Sequence, residues 1–266
     1  MTPPAQTYIS VTRGVADIGL SFFSYTMGRF PLMEVLDLPL GYRSGYVGNK
    51  LANEFYRKFK PKELDDVKVL FLMTSPPHML FAKKPVKNLE DLKGLKIRST
   101  GTSAKVVGVL GGVPVSMPMS EAYDALSRGV AQGIIGPYEP MKGFRLAEVV
   151  DNSTEYGSAY VGSNYVVMNK DKWNSIPPNA QKIIEQVNEE WIEKMGKLWD
   201  ELDKEGKDVF VQKGGKVYVL SKEENARWSE KLRPILDEYV KNMKAKGLPG
   251  DEALKFCLDY LKAHQK

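Results

Sequence analysis

The sequence predicts an α/β fold in two lobes, with a hinge of strands and one long helix spanning both. Three observations carry that expectation. Between Leu92 and Pro137, strand, helix, strand, helix and strand patterns follow one another with short turns. Two similar units, each a short amphipathic helix, a glycine and an apolar strand, recur about 115 positions apart: G-V-A-D-I-G at 14–19 and G-V-A-Q-G-I-I at 129–135. Each glycine suits a helix stop, because it accepts the left-handed conformation at no steric cost. Lastly, Pro177-Pro178 opens a long helical pattern. Ala180, Ile183, Ile184, Val187, Trp191, Met195, Leu198, Trp199 and Leu202 keep one face apolar to about Gln212. At about 1.5 Å per residue, that helix is long enough to reach across two lobes.

The elements follow in order. The chain opens M-T-P-P-A-Q-T-Y and enters a helix over 7–13 almost at once. A lobe of this kind normally starts with a strand and a crossover helix, so an N-terminal strand–helix unit reads as missing. Ser44 to Lys60 is helical, with Val47, Leu51, Phe55 and Phe59 on one face. Lys68 to Thr74 is a continuous apolar strand, as in a sheet covered on both faces. Met79–Ala82 is a further strand, Gly101–Leu110 a helix and Val113–Met117 a strand. Ser120 suits the N-cap of the next helix. Ala159 to Met168 alternates loosely, as a strand crossing between lobes would. The long helix bends or slides at Gly196 and Gly206. After it come a strand at 216–220, the N-cap Ser221, and helices broken near Leu248-Pro249-Gly250. The domain reading is residues 1–72 plus 163–210 for the first, N-terminally incomplete lobe. Residues 73–162 plus 211–235 form the second, and 236–266 are C-terminal helices packing on the lobes.

Composition excludes several classes of function. The 266 residues are 42% hydrophobic and 27% charged, a globular balance. Net charge is +5, but the lysines are interspersed with acids, which reads as a solvated surface and not as a nucleic-acid face. Cys257 is the lone cysteine and suits a buried thiol. With two histidines, His78 and His264, no zinc-type cluster is expected, and no cofactor. No apolar run approaches the roughly 18 residues of a membrane span, so no direct membrane insertion is expected. No signal peptide opens the chain, which reads as a mature or trimmed product or a cytoplasmic one.

The sharpest candidate residue is Arg98. It ends a strand, where open α/β sheets place ligands. Its planar fork suits a carboxylate bidentately. Thr100, Thr102 and Ser103 and the N–H groups of the helix behind them favour an anion there. The competing reading is an arginine paired with an interior acid. Phe22, Phe23 and Tyr25 follow the strand at 18–20 and line a pocket or fill ordinary core. His78 and Tyr138 also follow strands, with the same two readings open. No G-x-S-x-G, phosphate loop, H-E-x-x-H or G-x-G-x-x-G occurs. The residues thus point to a receptor for a small organic anion. The alternative is an enzyme acting on a small carboxylic acid with the same architecture.

Several motifs together resemble a known family. They are K-G-L-K-I-R at 93–98, G-G-V-P-V at 111–115, S-E-A-Y-D-A-L at 120–126 and G-V-A-Q-G-I-I-G-P at 129–137, with G-V-A-D-I-G-L at 14–20 and N-Y-V-V-M-N-K at 164–170. They are similar to the solute receptors of tripartite ATP-independent periplasmic (TRAP) transporters, in the branch of the C4-dicarboxylate receptor. The resemblance implies a periplasmic-binding-protein-like fold closing on a carboxylate, a periplasmic location, monomers, and delivery to the membrane subunits of the transporter. It implies that Arg98 clasps the carboxylate. It places a second basic or polar position near His78, an apolar cleft position on Met119 and a polar one on Gly136, where glycine departs from the usual asparagine. Asn164 heads the last motif and joins the candidates. A cleft acid of some members falls near Phe22. With Phe22, Phe23, Met119 and Tyr138 facing a cleft and no donor on Gly136, the expected ligand is a monocarboxylate with an apolar or aromatic body, not a sugar acid.

Overall fold

The computed structural model describes residues 2–265. Among these, the strands are β1 (Ile18–Phe22), β2 (Val67–Thr74), β3 (Met79–Ala82), β4 (Lys96–Ser99), β5 (Val113–Ser116), β6 (Gly133–Gly136), β7 (Asn152–Glu155), β8 (Ser163–Asn169) and β9 (Lys216–Val219). The helices are α1 (Thr7–Thr12), α2 (Gly45–Phe59), α3 (Leu89–Leu92), α4 (Thr102–Val109), α5 (Ala122–Ser127), α6 (Glu139–Gly143), α7 (Lys170–Ser175), α8 (Pro178–Gln212), α9 (Lys222–Ala245) and α10 (Gly250–His264). The first lobe is built on an antiparallel sheet in the order β1-β8-β2. The second is built on a mixed sheet in the order β5-β4-β6-β3-β7-β9, with β4 parallel to both β5 and β6.

Local chemistry accounts for the boundaries. Ser44 Oγ accepts the Val47 N–H at 3.2 Å and starts α2, and Ser221 Oγ accepts the Glu224 N–H at 3.2 Å and starts α9. Gly14 and Gly129 take φ of 70° and 74°, and each turns a helix into the strand after it, β1 in one lobe and β6 in the other. Ser120 does not cap a helix. The chain makes a 3-10 turn over Met119–Glu121, and α5 starts from Glu121 with no side-chain cap. β7 has no counterpart in the sequence reading, because Asn152–Glu155 is polar throughout.

Two segments cross between the sheets, side by side. β2 continues through 75–78 into β3, and β7 continues through 156–162 into β8. The Ser75 N–H donates to Gly162 O at 2.9 Å, and the His78 N–H to Tyr160 O at 2.8 Å. The antiparallel pairing of β2 with β8 therefore runs almost without a break into that of β3 with β7. The segment read as a strand from Ala159 divides accordingly: 159–162 is crossing and the strand starts at Ser163. β8 is buried along its whole length, not alternating, because it lies between β1 and β2. β2 is an edge strand. Its open edge is closed by α2, where Asn53 exchanges two hydrogen bonds with the Leu72 backbone (2.9 and 2.8 Å) and Asn49 Oδ1 accepts the Thr74 N–H at 2.6 Å.

The third connection is α8, and here two expectations are corrected. Its buried face carries Asn188, Ile192, Gly196, Gly206 and Phe210. The apolar side chains Ile183, Val187, Trp191 and Leu198 are exposed by 40% or more. At the two closest approaches to its neighbours the packed face carries glycine. A Cβ on Gly196 would come within 2.7 Å of Tyr46 Cα in α2, and one on Gly206 would run into the Tyr138 backbone ahead of α6. The two glycines are therefore contact points, one per lobe. Between them, Asp200 accepts the Gly45 and Tyr46 N–H groups at 2.6 and 3.0 Å, capping α2, and Asp203 Oδ1 accepts the Glu139 N–H at 2.9 Å, capping α6. The passage expected at 235/236 from the second lobe to the C-terminal helices also falls elsewhere, since α9 runs unbroken across it. α10 packs on α2 and α9 and buries Cys257 completely.

Two outcomes follow for this bridge. Gly206→Leu and Gly196→Val should each destabilise the protein by roughly 1–3 kcal/mol in denaturant titrations, since neither neighbour is a side chain free to move. An effect of less than a few tenths would contradict the close packing. Burial pushes Asp203 up to about 7, against the N–H groups that favour its charge. An acid raised on folding binds more protons folded than unfolded, so its stabilisation is greatest at low pH and fades as pH climbs from about 4 to about 7. Relative to Asp203→Asn, the wild-type chain should therefore lose on the order of 1–3 kcal/mol between about pH 5 and pH 8. A flat difference over that range would refute the assignment.

Candidate ligand-binding site

The lobes enclose a cavity of about 380 Å³, within the range of small-molecule sites. Arg98 belongs to β4, one residue before its end, and is 4% exposed. Its Nε–H donates to Met117 O at 3.0 Å. Among the described residues no hydrogen bond engages its two terminal nitrogens and no carboxylate pairs with it. The arginine is therefore not one half of an interior ion pair. Its charge borders the cavity with donors to spare.

The crossing segments supply the polar end. Ser75 Oγ accepts the Gly162 N–H at 2.9 Å and lies 2.7 Å from His78 Nε2. The His78 ring leans on Tyr160, with centroids 4.4 Å apart. Desolvation, and secondarily the Arg98 charge, hold His78 down to about 3. It is thus neutral at ordinary pH, so of the basic or polar character expected at this position it has the polar one. His78 Nδ1, Tyr160 Oη and Asn164 Oδ1 are all buried without partners. These three atoms border one cavity, where a bound molecule can give them partners.

Apolar side chains form the other walls. Phe22 and Tyr25 meet edge to face at 5.5 Å and face Met119, Ile135, Phe144, Trp199 and Leu202 across the cavity. The lobes touch here: the Met119 N–H donates to Tyr25 Oη at 3.2 Å, and Ser24 Oγ lies 3.4 Å from Thr100 Oγ1. Two acids also line the cavity, Asp37 and Glu139, and burial raises both, Asp37 to about 7.

Of the residues expected in the site, Arg98, His78, Phe22, Tyr25, Thr100, Met119 and Asn164 line this cavity. Phe23 does not. It is the buried neighbour of Phe30 and Tyr165 in the core of the first lobe, because consecutive residues after β1 point to opposite sides. Tyr138 does not either. Its hydroxyl bonds Ser153 Oγ at 2.6 Å and Glu155 at 2.9 Å, and its ring packs on Phe81 and Phe210. Gly136 is not itself a lining residue, although its neighbours Ile135 and Pro137 are. A Cβ added there meets nothing within 4 Å, and register puts it on Arg98's face of the sheet, two residues past Ile134. The helix N-terminus behind Arg98 is less available than expected. Ser103 Oγ is bonded to both the N–H and the C=O of Thr100, and the first helical N–H groups bond back to Thr100 and Gly101.

Sequence reasoning missed Asp37, Ser75, Tyr160, Glu139, Phe144, Trp199 and Leu202. Asp37 gave one usable sign, as the only charge in the apolar run Val35–Leu40. Trp199 and Leu202 had been absorbed into the apolar face of α8.

The Ser75–His78 contact is the one arrangement here with an enzymatic look. It lacks the parts of a nucleophile and base. Nothing orients His78 Nδ1, the imidazole is too weakly basic, and Ser75 Oγ is tied to Pro76 O and Gly162 N–H. Among the described residues no cluster of metal-ligating side chains exists, and no helix is long and apolar enough to cross a membrane.

Comparison with known proteins agrees with this geometry. The chain is similar to a marine metagenome TRAP solute binding protein from an unidentified microbe, described as specific for aromatic acid ligands and seen with metahydroxyphenylacetate. Identity is 28% and the TM-score 0.95, over 100% of this chain and 86% of that one. It is also similar to a TRAP solute binding protein from Rhodoferax ferrireducens T118 in complex with copurified benzoate, at 28% identity and TM-score 0.92, over 99% and 84% of the two chains. The C4-dicarboxylate-binding periplasmic protein DctP of Rhodobacter capsulatus is 28% identical over 178 residues. That match takes in 66% of this chain and about half, 53%, of that protein. The model of the bacterial extracellular solute-binding proteins of family 7, DctP, matches residues 2–242. The chain belongs to that family.

Proposed function

We propose that this chain captures a small monocarboxylate with an aromatic or apolar body and hands it, unchanged, to the membrane subunits of a TRAP-type transporter, working outside the cytoplasm as a monomer. The observation that carries the reading is Arg98: a buried guanidinium with two unengaged nitrogens, opening on a cavity whose other walls are largely apolar. A carboxylate completes the fork bidentately. The Thr100 hydroxyl lines the same cavity as a further donor, and the neutral His78 ring adds a dipole. Phe22, Tyr25, Met119 and Trp199 receive the body of the ligand, where burial of a ring contributes roughly 1.5–3 kcal/mol. A sugar acid would bring several hydroxyls to these apolar walls. Relatives solved with metahydroxyphenylacetate and benzoate support the same ligand class.

Calorimetry with benzoate and phenylacetate tests the reading. Arg98→Lys keeps the charge but loses the fork, and should weaken binding by about 1.5–3 kcal/mol, roughly 10- to 100-fold. Unchanged affinity in Arg98→Ala would sink the assignment.

Capture also requires motion. Ser24 and Tyr25 of one lobe touch Thr100 and Met119 of the other, so ligand enters only when these contacts part. Bound ligand adds contacts to both lobes and shifts the population toward closure. Small-angle scattering should show a smaller radius of gyration with saturating benzoate than without it. An identical radius despite confirmed binding would rule out the clamp.

A further inference from the structure

We propose that Asp37 is a specificity-determining residue of this cavity, selecting aromatic carboxylates that carry a hydroxyl over those that do not. The inference rests on the capture reading above and adds the second group by which the ligand is read.

Asp37 closes the 3-10 turn Met33–Asp37 and is 4% exposed. What remains open of it borders the cavity. One oxygen, Oδ1, accepts both the N–H and the hydroxyl of Ser163, at 2.7 and 2.5 Å. The other, Oδ2, has no hydrogen bond from any described residue, and no lysine or arginine pairs with the group. The only charge that acts on it appreciably is that of Glu34, of its own sign. A carboxyl group so placed is half satisfied, and burial makes that costly. The other void that Asp37 borders measures about 10 Å³, at the lower limit for one water. The ligand cavity is the place from which a partner comes.

The neighbourhood narrows the kind of partner. Ser163 is followed by Asn164, whose Oδ1 is partnerless, and the partnerless hydroxyl of Tyr160 lies within electrostatic reach of both Asp37 and Arg98. One end of the cavity is thus a cation with spare donors. The same lining also carries spare acceptors, Asp37 Oδ2 and Asn164 Oδ1, and the Tyr160 hydroxyl, which both gives and takes. A carboxylate held by Arg98 suits the first. The second calls for a group that donates. Burial pushes Asp37 up to about 7, so both protonation states are present near neutrality. A hydroxyl serves each state: it donates to the carboxylate and accepts from the acid. A bare ring edge serves neither and leaves Oδ2 desolvated with nothing in return.

The test is a calorimetric panel on the full chain: 2-, 3- and 4-hydroxybenzoate, each against the fluorobenzoate of the same position, which has a similar shape but no donor. The best hydroxybenzoate should bind about tenfold or more tighter than its fluoro counterpart, the worth of one hydrogen bond to a buried charged group. In Asp37→Asn, which keeps an acceptor for Ser163 but puts an amide in place of Oδ2, that ratio should fall to about threefold or less. The wild-type ratio stands by itself if the variant does not fold: equal binding of every hydroxy and fluoro pair overturns the proposal. So does a ratio that survives in Asp37→Asn, or one that collapses in Glu139→Gln instead, which would give the hydroxyl to the other acid of the cavity. Failure of every aromatic carboxylate to bind would be a different result. It would remove the capture reading itself, and this inference with it.

Discussion

The pairing of Ser75 with Gly162 is the point on which this architecture turns. Two chain segments pass from one sheet to the other, and each would be a bare strand of unpaired peptide groups if it crossed alone. Side by side they satisfy each other: Ser75 N–H to Gly162 O, Gly162 N–H to Ser75 Oγ, His78 N–H to Tyr160 O. The same few residues then do two things. They carry the backbone between lobes as a narrow ribbon that twists without losing its hydrogen bonds. They also deliver Ser75, His78, Tyr160 and Gly162 to the deep end of the cavity. Hinge and site are one piece of chain, so closure of the lobes moves the remaining walls onto groups that are already in place.

The cavity is a collection of groups that the fold leaves incomplete. Arg98 has no counter-ion, Asp37 has one free oxygen, and three buried polar atoms nearby have no partner. Folding alone does not favour such an arrangement, since each unpaired buried group costs free energy. Elsewhere the chain is careful about this. Asn49 and Asn53 close the open edge of β2, and two aspartates of α8 cap two separate helices. That care is not complete, since Arg29 Nε, Tyr156 Oη, Tyr165 Oη and Asn188 Nδ2 are also buried without partners; what marks the cavity is the gathering of such atoms with an unpaired guanidinium and a half-satisfied carboxyl around one space.

Much of the scaffold was legible in the sequence. Glycines at 14 and 129, serines at 44 and 221 and the apolar run at 67–74 have local causes, and local causes show in local sequence. Arg98 was legible for a similar reason, since a lone arginine at a strand end has few other uses. What stayed hidden depends on which side of the chain faces inward after long-range packing. Phe22 faces the cavity and Phe23 the core, yet both follow the same strand and have the same composition. Tyr138 looked like a cleft residue until Ser153 and Glu155, from a polar strand with no apolar pattern to betray it, took its hydroxyl. Asp37 and Tyr160 meet the cavity only through long-range pairing, Asp37 with Ser163 and Tyr160 with His78.

The long helix shows the same effect in reverse, and it decides how the lobes move. An apolar stripe along α8 predicts that this stripe is buried. The structure buries the stripe with two glycines in it, because backbone contact at Gly196 and Gly206 brings the helix closer to each lobe than any large side chain allows. Each glycine is paired with an aspartate that caps a helix of the same lobe, Asp200 on α2 and Asp203 on α6. The helix is thus riveted to the first lobe at 196 and 200 and to the second at 203 and 206. At this junction, less than one turn long, Trp199 and Leu202 line the cavity. A rod fixed at both ends cannot slide, so any change of angle between the lobes falls on the short stretch from Asp200 to Asp203. That stretch and the residue before it, Trp199, border the cavity. Trp199 and Leu202 thus bring the brace that joins the lobes to the edge of the ligand space itself.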